Sequence, residues 1–103
     1  MNNMSGLLQQ AQQMQKKMLE VEKKLKEAEV IGTVSGGIEK VTMNGKGEVK
    51  KIKIDPSLKE DIEVIEDLLM AAILEAKKNA DMLSDKEMKA VTWGMPMPPG
   101  LSI

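Results

Sequence analysis

A heptad pattern of apolar residues near the N-terminus constrains this chain more than any other feature of its sequence. Over residues 4–28, apolar side chains recur at alternating spacings of three and four for four heptads. This spacing is typical of a helix that packs along a narrow seam against another helix. A helix of about 25 residues spans roughly 37 Å, which is longer than a small domain needs across its core. The seam consists of Met4, Leu7, Ala11, Met14, Met18, Val21, Leu25 and Ala28.

The seam could pack within its own chain or between two chains. The near-3.5 period and the length of the helix favour a contact between subunits. We therefore expect a homodimer, with part of the seam in the interface. The residues predicted for this dimer interface are Leu7, Ala11, Met14, Met18, Val21 and Leu25.

The segment after this helix, residues 30–54, is predicted to form a three-stranded antiparallel sheet. The expected strands are residues 30–35, 38–43 and 48–54, separated by Gly36-Gly37 and by Asn44-Gly45-Lys46-Gly47. Asn and Gly accept positive φ at low cost, so the second break is a strong hairpin signal. Alternation of apolar and polar residues along the strands predicts one buried and one wet face.

Residues 55–93 are predicted to be helical, and residues 94–103 to be an extended Pro-rich tail. Asp55 can cap the start of the helix and Pro56 fits its first turn. Ser84 and Glu87 could form a capping box, so the helix could be kinked there. The whole chain, residues 1–103, is thus expected to be one α+β domain of long helix, sheet, long helix and tail.

The composition excludes most catalytic and metal chemistry. The chain has no Cys, His, Arg, Tyr or Phe. Zinc, haem and iron–sulfur sites of the usual kind need Cys or His, as do the common nucleophilic triads. Acidic residues cluster after Asp55, where negative charge complements the start of a helix. We expect no catalytic residues, no metal, no cofactor and no small-molecule substrate.

The net charge of −1 hides an uneven distribution of lysines. Residues 1–54 carry a net charge of +4 and residues 55–103 a net charge of −5. These lysines could neutralise phosphates, or they could be solvated faces balanced by glutamates; the sequence leaves both interpretations open. The candidate DNA-binding residues are Lys16, Lys17, Lys23, Lys24, Lys77 and Lys78, with Lys46, Lys50, Lys51 and Lys53 as possible additions.

A chain whose cations are all lysines has few means of reading bases. Arg supplies the bidentate fork used on guanine, whereas Lys is a flexible point charge. Any DNA binding should therefore use backbone contacts and show weak sequence preference. The alternative is a protein-interaction module that uses the helical seam and the Pro-rich tail.

The sequence has no secretory signal and no apolar run long enough to span a membrane, so we expect a cytoplasmic protein without membrane contact.

Four segments of the chain carry a resemblance to a known family: LLQQAQQMQKKM (7–18), VTMNGKGEVKKIKIDPSL (41–58), DLLMAAILEAKKNA (67–80) and GMPMPPGL (94–101). Together they resemble the YbaB/EbfC family of bacterial nucleoid-associated proteins. The resemblance implies a homodimer in which the strands form the body and the first and last helices project like tweezers. It also implies binding of double-stranded DNA by those helices, association with the nucleoid, and roles in chromosome organisation or gene expression. On this chain the matching basic positions are Lys16, Lys17, Lys23, Lys24, Lys77 and Lys78.

Overall fold

A computed structural model of the chain describes residues 3–92. It contains two long helices and a three-stranded antiparallel sheet, which confirms the predicted α+β class. The predicted tail, residues 94–103, lies outside the described residues. The elements in chain order are α1 (Asn3–Glu27), β1 (Val30–Val34), β2 (Glu39–Met43), β3 (Val49–Ile54) and α2 (Ile62–Thr92).

The strands lie in the order β1-β2-β3, and both neighbouring pairs are antiparallel. A short 3₁₀ turn, Ser35–Gly37, joins β1 to β2, and Gly36 adopts a φ of 73° there. The predicted hairpin between β2 and β3 is present, with its turn at Gly45-Lys46, and the positive φ falls on Gly47 (84°) and not on Asn44 or Gly45. A β-bulge follows it: Thr42 pairs with Lys51 and Met43 with Val49, which leaves Lys50 as the extra residue.

One face of the sheet forms the core with α2. Val41 and Met43 of β2 are buried against Ala72 and Ala76 of α2. Gly32 of β1 makes this close packing possible, because a Cβ atom there would collide with main-chain atoms of Ala72 and Ala76. The small residues on both elements thus allow the helix backbone to lie directly on the strand.

The core side of the sheet also contains a buried carboxylate. Glu39 begins β2, pairs in register with Val34 and Ile54, and is completely buried. Neither oxygen of its carboxylate has a hydrogen-bond partner among the described residues. Burying such a group without compensation lowers the free energy of unfolding.

The segment that leads into α2 differs from the prediction in detail. The Asp55 carboxylate accepts a hydrogen bond of 2.8 Å from the Ser57 N–H, as a cap does, but it caps a 3₁₀ turn, Pro56–Leu58. The α-helix itself begins later, at Ile62. It then runs without interruption to Thr92, so no new helix begins at the predicted capping box near Ser84.

A second apolar cluster joins the two helices. Val21 and Leu25 of α1 are buried with Val91 of α2, and Met18 packs against them. Lys24 pairs with Glu87, and Lys17 lines the same groove as Val91, so the two helices run antiparallel. The N-terminal half of α1 therefore continues beyond this cluster, and its large apolar residues are exposed: Met4, Leu7 and Leu8.

Candidate nucleic-acid interface

The predicted lysines of α1 are exposed along one stretch of the helix. Lys16 and Lys17 recur as Lys23 and Lys24 one heptad later, which places the two pairs about 10 Å apart along the axis. No acidic residue precedes Glu20 in the chain. Residues 3–19 of α1 therefore carry two lysines and no carboxylate, and the nearest carboxylate on the helix is that of Glu20, one turn after Lys16.

Several candidate lysines already have carboxylate partners. Lys24 Nζ lies 3.0 Å from Glu87 Oε1, and Lys77 Nζ lies 2.6 Å from Asp81 Oδ1. The Lys77–Asp81 pair is exposed on both sides and contributes only about 0–1 kcal/mol, so a phosphate can displace its carboxylate at small cost. The Glu87 side chain is only 14% exposed, so the Lys24–Glu87 pair is less easily separated. Lys16, Lys17, Lys23 and Lys78 form no ion pair with any residue in the described range.

The structure does not bring all the predicted helix lysines together. The side chain of Lys77 lies beside the hairpin turn: its carbon atoms Cδ and Cε would be 3.4 and 3.5 Å from a Cβ atom at Gly47. That turn contacts the C-terminal end of α1, where the Gly45 N–H donates to the Leu25 carbonyl oxygen at 2.7 Å. Lys16 precedes Leu25 by nine residues, about 13 Å along the axis. Lys77 and Lys16 therefore occupy different parts of the surface.

The side chain of Asn44 fixes the hairpin turn and ties it to α1. Its Oδ1 accepts from the N–H groups of Lys46 and Glu48, both at 3.0 Å. Its Nδ2 donates to Glu48 Oε1 at 2.7 Å and to the Lys26 carbonyl oxygen at 3.3 Å. The hydrogen bond from Asn44, aided by the positive charge of nearby lysines, holds the pKa of Glu48 below its ordinary value. Sequence analysis identified Asn44 as a turn residue and missed this second role.

The side chain of Lys46 contacts α1, unlike those of Lys50, Lys51 and Lys53, which lie on the sheet. Its Nζ lies 3.2 Å from Glu22 Oε1, and both residues line a cleft of about 460 Å³ between α1 and the hairpin. The cleft contains charges of both signs, since its lining includes the lysines Lys23, Lys26 and Lys46 and the glutamates Glu22 and Glu48. Lys46 therefore links the hairpin turn to α1 of the same chain, with 40% of its side chain exposed.

The other three predicted strand lysines share one surface with a lysine that the prediction omitted. We call this surface the outer sheet face. The register pairs Lys40 with Lys53 and Thr42 with Lys51, on the side of the sheet opposite to α2. The face contains a depression of about 460 Å³ lined by Glu29, Ile31, Lys40, Thr42, Lys50, Lys51 and Lys53. Strand alternation placed Lys40 on the wet side of β2, but only the register shows its neighbour.

The predicted interface residues of the heptad seam fall into two groups. Val21 and Leu25 are buried by α2 of the same chain, with Met18 partly buried beside them. Leu7 and Ala11 are exposed, and Met14 is half-buried. The C-terminal part of the seam thus packs within the chain, and the N-terminal part is the surface that a second chain could cover.

The described elements define a small α+β protein with two long antiparallel helices and lysine-rich surfaces on both its helices and its sheet. Among these elements, no helix is both long and apolar enough to cross a membrane.

The chain belongs to the YbaB/EbfC DNA-binding family, whose sequence model matches residues 1–95. It is 45% identical over 100 residues to a nucleoid-associated protein of Polynucleobacter necessarius, covering 97% of this chain and 94% of that protein. It is 47% identical over 105 residues to a nucleoid-associated protein of Paramagnetospirillum magneticum, covering 100% and 98% of the two chains. The crystal structure of uncharacterized protein HP0035 from Helicobacter pylori is similar, with a TM-score of 0.69 and 31% identity over 84% of this chain and 88% of that one.

Proposed function

We propose that this protein is a nucleoid-associated protein that binds double-stranded DNA as a homodimer, with low sequence preference and without catalysis. The observation that carries the proposal is the exposed pair of lysine rows on α1, Lys16 with Lys23 and Lys17 with Lys24, in a member of a DNA-binding family. The names of the relatives support association with the nucleoid.

The proposed contact is between lysine ammonium groups and phosphates. Lysines that neutralise phosphates release counterions, so binding of this kind weakens steeply as salt rises. The chain contains no Arg, whose planar bidentate fork reads guanine. Contacts to the backbone hold DNA without reading its sequence, and the expected Kd at physiological salt is about 10⁻⁴ to 10⁻⁶ M.

A mobility-shift titration with a matched pair of variants tests this proposal. Lys16→Gln/Lys17→Gln removes two exposed lysines from α1, and Lys59→Gln/Lys86→Gln removes two exposed lysines from elsewhere. Both variants change the net charge equally. A difference in their DNA affinity therefore depends on where the lysines lie and not on the overall charge. We expect the α1 variant to bind more weakly than the control. Equal binding by the two variants would contradict a specific role of α1.

The homodimer is supported by apolar surface that the chain leaves uncovered on the core side of its sheet. Val41 of β2 is completely buried, whereas Ile52, its neighbour in register on β3, is 44% exposed. Val49, which pairs with the buried Met43, is 46% exposed as well, and a patch of exposed apolar side chains beside a buried core is typical of an interface. We propose that a second copy of the chain covers β3 here and also contacts the exposed seam residues Leu7 and Ala11.

Light scattering provides the test of the dimer. The expected mass is about twice the 11.3 kDa of one chain. Ile52→Glu should shift the mass toward that of the monomer, whereas Ile31→Glu should leave the dimer intact. Ile31 is a matched control, since it is 47% exposed but lies on the outer sheet face. A monomeric parent protein at micromolar concentration would refute the dimer.

A further inference from the structure

We infer that the outer sheet face is a second contact surface for the phosphate backbone of DNA, apart from the lysines of α1. This inference rests on the proposed DNA-binding function and extends it to a face of the molecule that carries neither helix. The surface consists of Lys40 on β2 and Lys50, Lys51 and Lys53 on β3.

The first argument is the like-charge pairing across the strands. Lys40 and Lys53 lie directly opposite each other in the antiparallel register of β2 and β3. Like charges in this position repel and destabilise the pairing of the strands. Lys51 lies two residues from Lys53, about 6.8 Å along the same strand, and adds to the repulsion. A bound anion would reduce this repulsion. Anion binding therefore explains why two lysines are paired here, whereas the stability of the fold does not.

The second argument is the shortage of carboxylates on this face. The depression contains four lysines and one glutamate, Glu29. None of its four lysines forms an ion pair with a residue in the range 3–92, whereas Lys24, Lys46 and Lys77 all do. The cleft between α1 and the hairpin, by contrast, has three lysines and two glutamates. The outer sheet face therefore has a larger excess of positive charge than this cleft.

The third argument is the kind of ligand that this face can hold. Its remaining lining residues are Ile31 and Thr42, so it offers no aromatic ring for stacking on a base. Adjacent lysine positions are separated by about 5 Å across strands and 7 Å along them. Flexible lysine side chains at these spacings can reach several phosphates of one DNA backbone at once. The chemistry therefore fits a row of phosphates better than a flat or apolar ligand.

The test compares two variants of equal charge in full-length protein. Lys40→Gln/Lys53→Gln removes the opposed pair, and Lys59→Gln/Lys86→Gln is the control. DNA affinity is measured with a random-sequence duplex between about 50 and 200 mM salt. If both lysines contact phosphates, the slope of log K against log salt should become shallower by about 1.8 for each chain bound, so that the salt-induced loss of affinity per chain is about tenfold smaller than in the parent. Thermal unfolding should show equal or higher stability for this variant, because the repulsion is gone.

The outcomes separate this inference from the proposed function. A parent protein that does not bind DNA refutes both. If the parent binds and Lys16→Gln/Lys17→Gln weakens binding, but the sheet variant behaves like the control, the proposed function stands and the inference is overturned. Backbone amide shifts in the unaltered protein give a second readout that needs no variant. Added duplex should shift Lys40, Lys51 and Lys53 more than Lys59 and Lys86, and the reverse order would overturn the inference.

Discussion

Replacing Gly32 by Ala tests the closest contact in the fold. Gly32 lies in the middle of β1, and α2 crosses it so closely that a Cβ atom would overlap with main-chain atoms of Ala72 and Ala76. The overlapping atoms include a main-chain nitrogen and a main-chain oxygen, which cannot rotate away as a side chain can. The variant can fold only if α2 moves away from β1, which opens space around Val41 and Met43 in the core.

The size of the effect follows from two opposing terms. Overpacking a core by a methyl group costs about 1–3 kcal/mol, and a clash with backbone belongs at the upper end of that range. Replacing Gly by Ala also reduces the backbone freedom of the unfolded chain, which raises the free energy of unfolding by about 0.4–1 kcal/mol. We expect the free energy of unfolding of Gly32→Ala to fall by about 2 kcal/mol, which corresponds to a fall in Tm of about 10 °C for a chain of this size.

The assay is urea and thermal unfolding at one fixed protein concentration, with Gly6→Ala as the control. Gly6 lies in α1 with nothing near its Cβ position, so the same chemical change should there raise stability by up to about 1 kcal/mol. Opposite signs for the two variants would confirm that contact with α2 decides the outcome. A Gly32→Ala protein within about 0.5 kcal/mol of the parent would refute the close packing of α2 on β1.

Three further predictions concern polar groups. Asn44→Ala removes four hydrogen bonds that stabilise the hairpin turn and connect it to α1. The free energy of unfolding measured in urea should therefore fall by about 2–4 kcal/mol. A fall of less than about 0.5 kcal/mol would contradict the anchoring role of Asn44. Glu39→Met replaces a buried carboxylate that has no hydrogen-bond partner among the described residues, and it should raise stability by about 1–2 kcal/mol; destabilisation would mean that a second chain supplies the partner. The pKa of Asp55 is lowered by hydrogen bonds from Ser57 and that of Glu48 by the hydrogen bond from Asn44. At a pH above their unfolded pKa values, both ionised groups therefore raise the free energy of unfolding. This contribution is lost as the pH falls through their lower pKa values in the folded protein. Asp55→Asn removes one of these groups and should make the free energy of unfolding fall less steeply at acid pH.

Local sequence patterns were enough to predict the elements of the fold. The heptad spacing predicted α1, alternation predicted the strands, and Asn44-Gly45 predicted the hairpin turn, since each signal depends on neighbouring residues. The start of α2 was less predictable, because Asp55 and Pro56 are as suitable for a 3₁₀ turn as for an α-helix. Gly32 gave no local signal, because its role depends on Ala72 and Ala76 of α2, which lie 40 and 44 residues further along the chain.

The sequence identified the candidate lysines, but it did not show which of them lie together on one surface of the folded protein. Lys24 is 63 residues from Glu87, so no short pattern could show that the two form an ion pair. The omission of Lys40 has the same cause, since its position opposite Lys53 is fixed by strand register. Lys46 was grouped with Lys50 by proximity in sequence, but the hairpin turn directs it to Glu22 on α1. Contacts over long sequence separations decide which lysines act together.

The salt dependence of DNA binding tests the central claim most directly. Lysine–phosphate contact predicts that log K falls linearly with log salt, with a slope of about −0.9 for each phosphate neutralised. Two pairs of α1 lysines in contact with a duplex would give a slope near −3.6 per chain, and the outer sheet face would make it steeper. The slope should be similar for duplexes of unrelated sequence. The absence of binding at low salt, or an affinity that does not change with salt, would contradict the account.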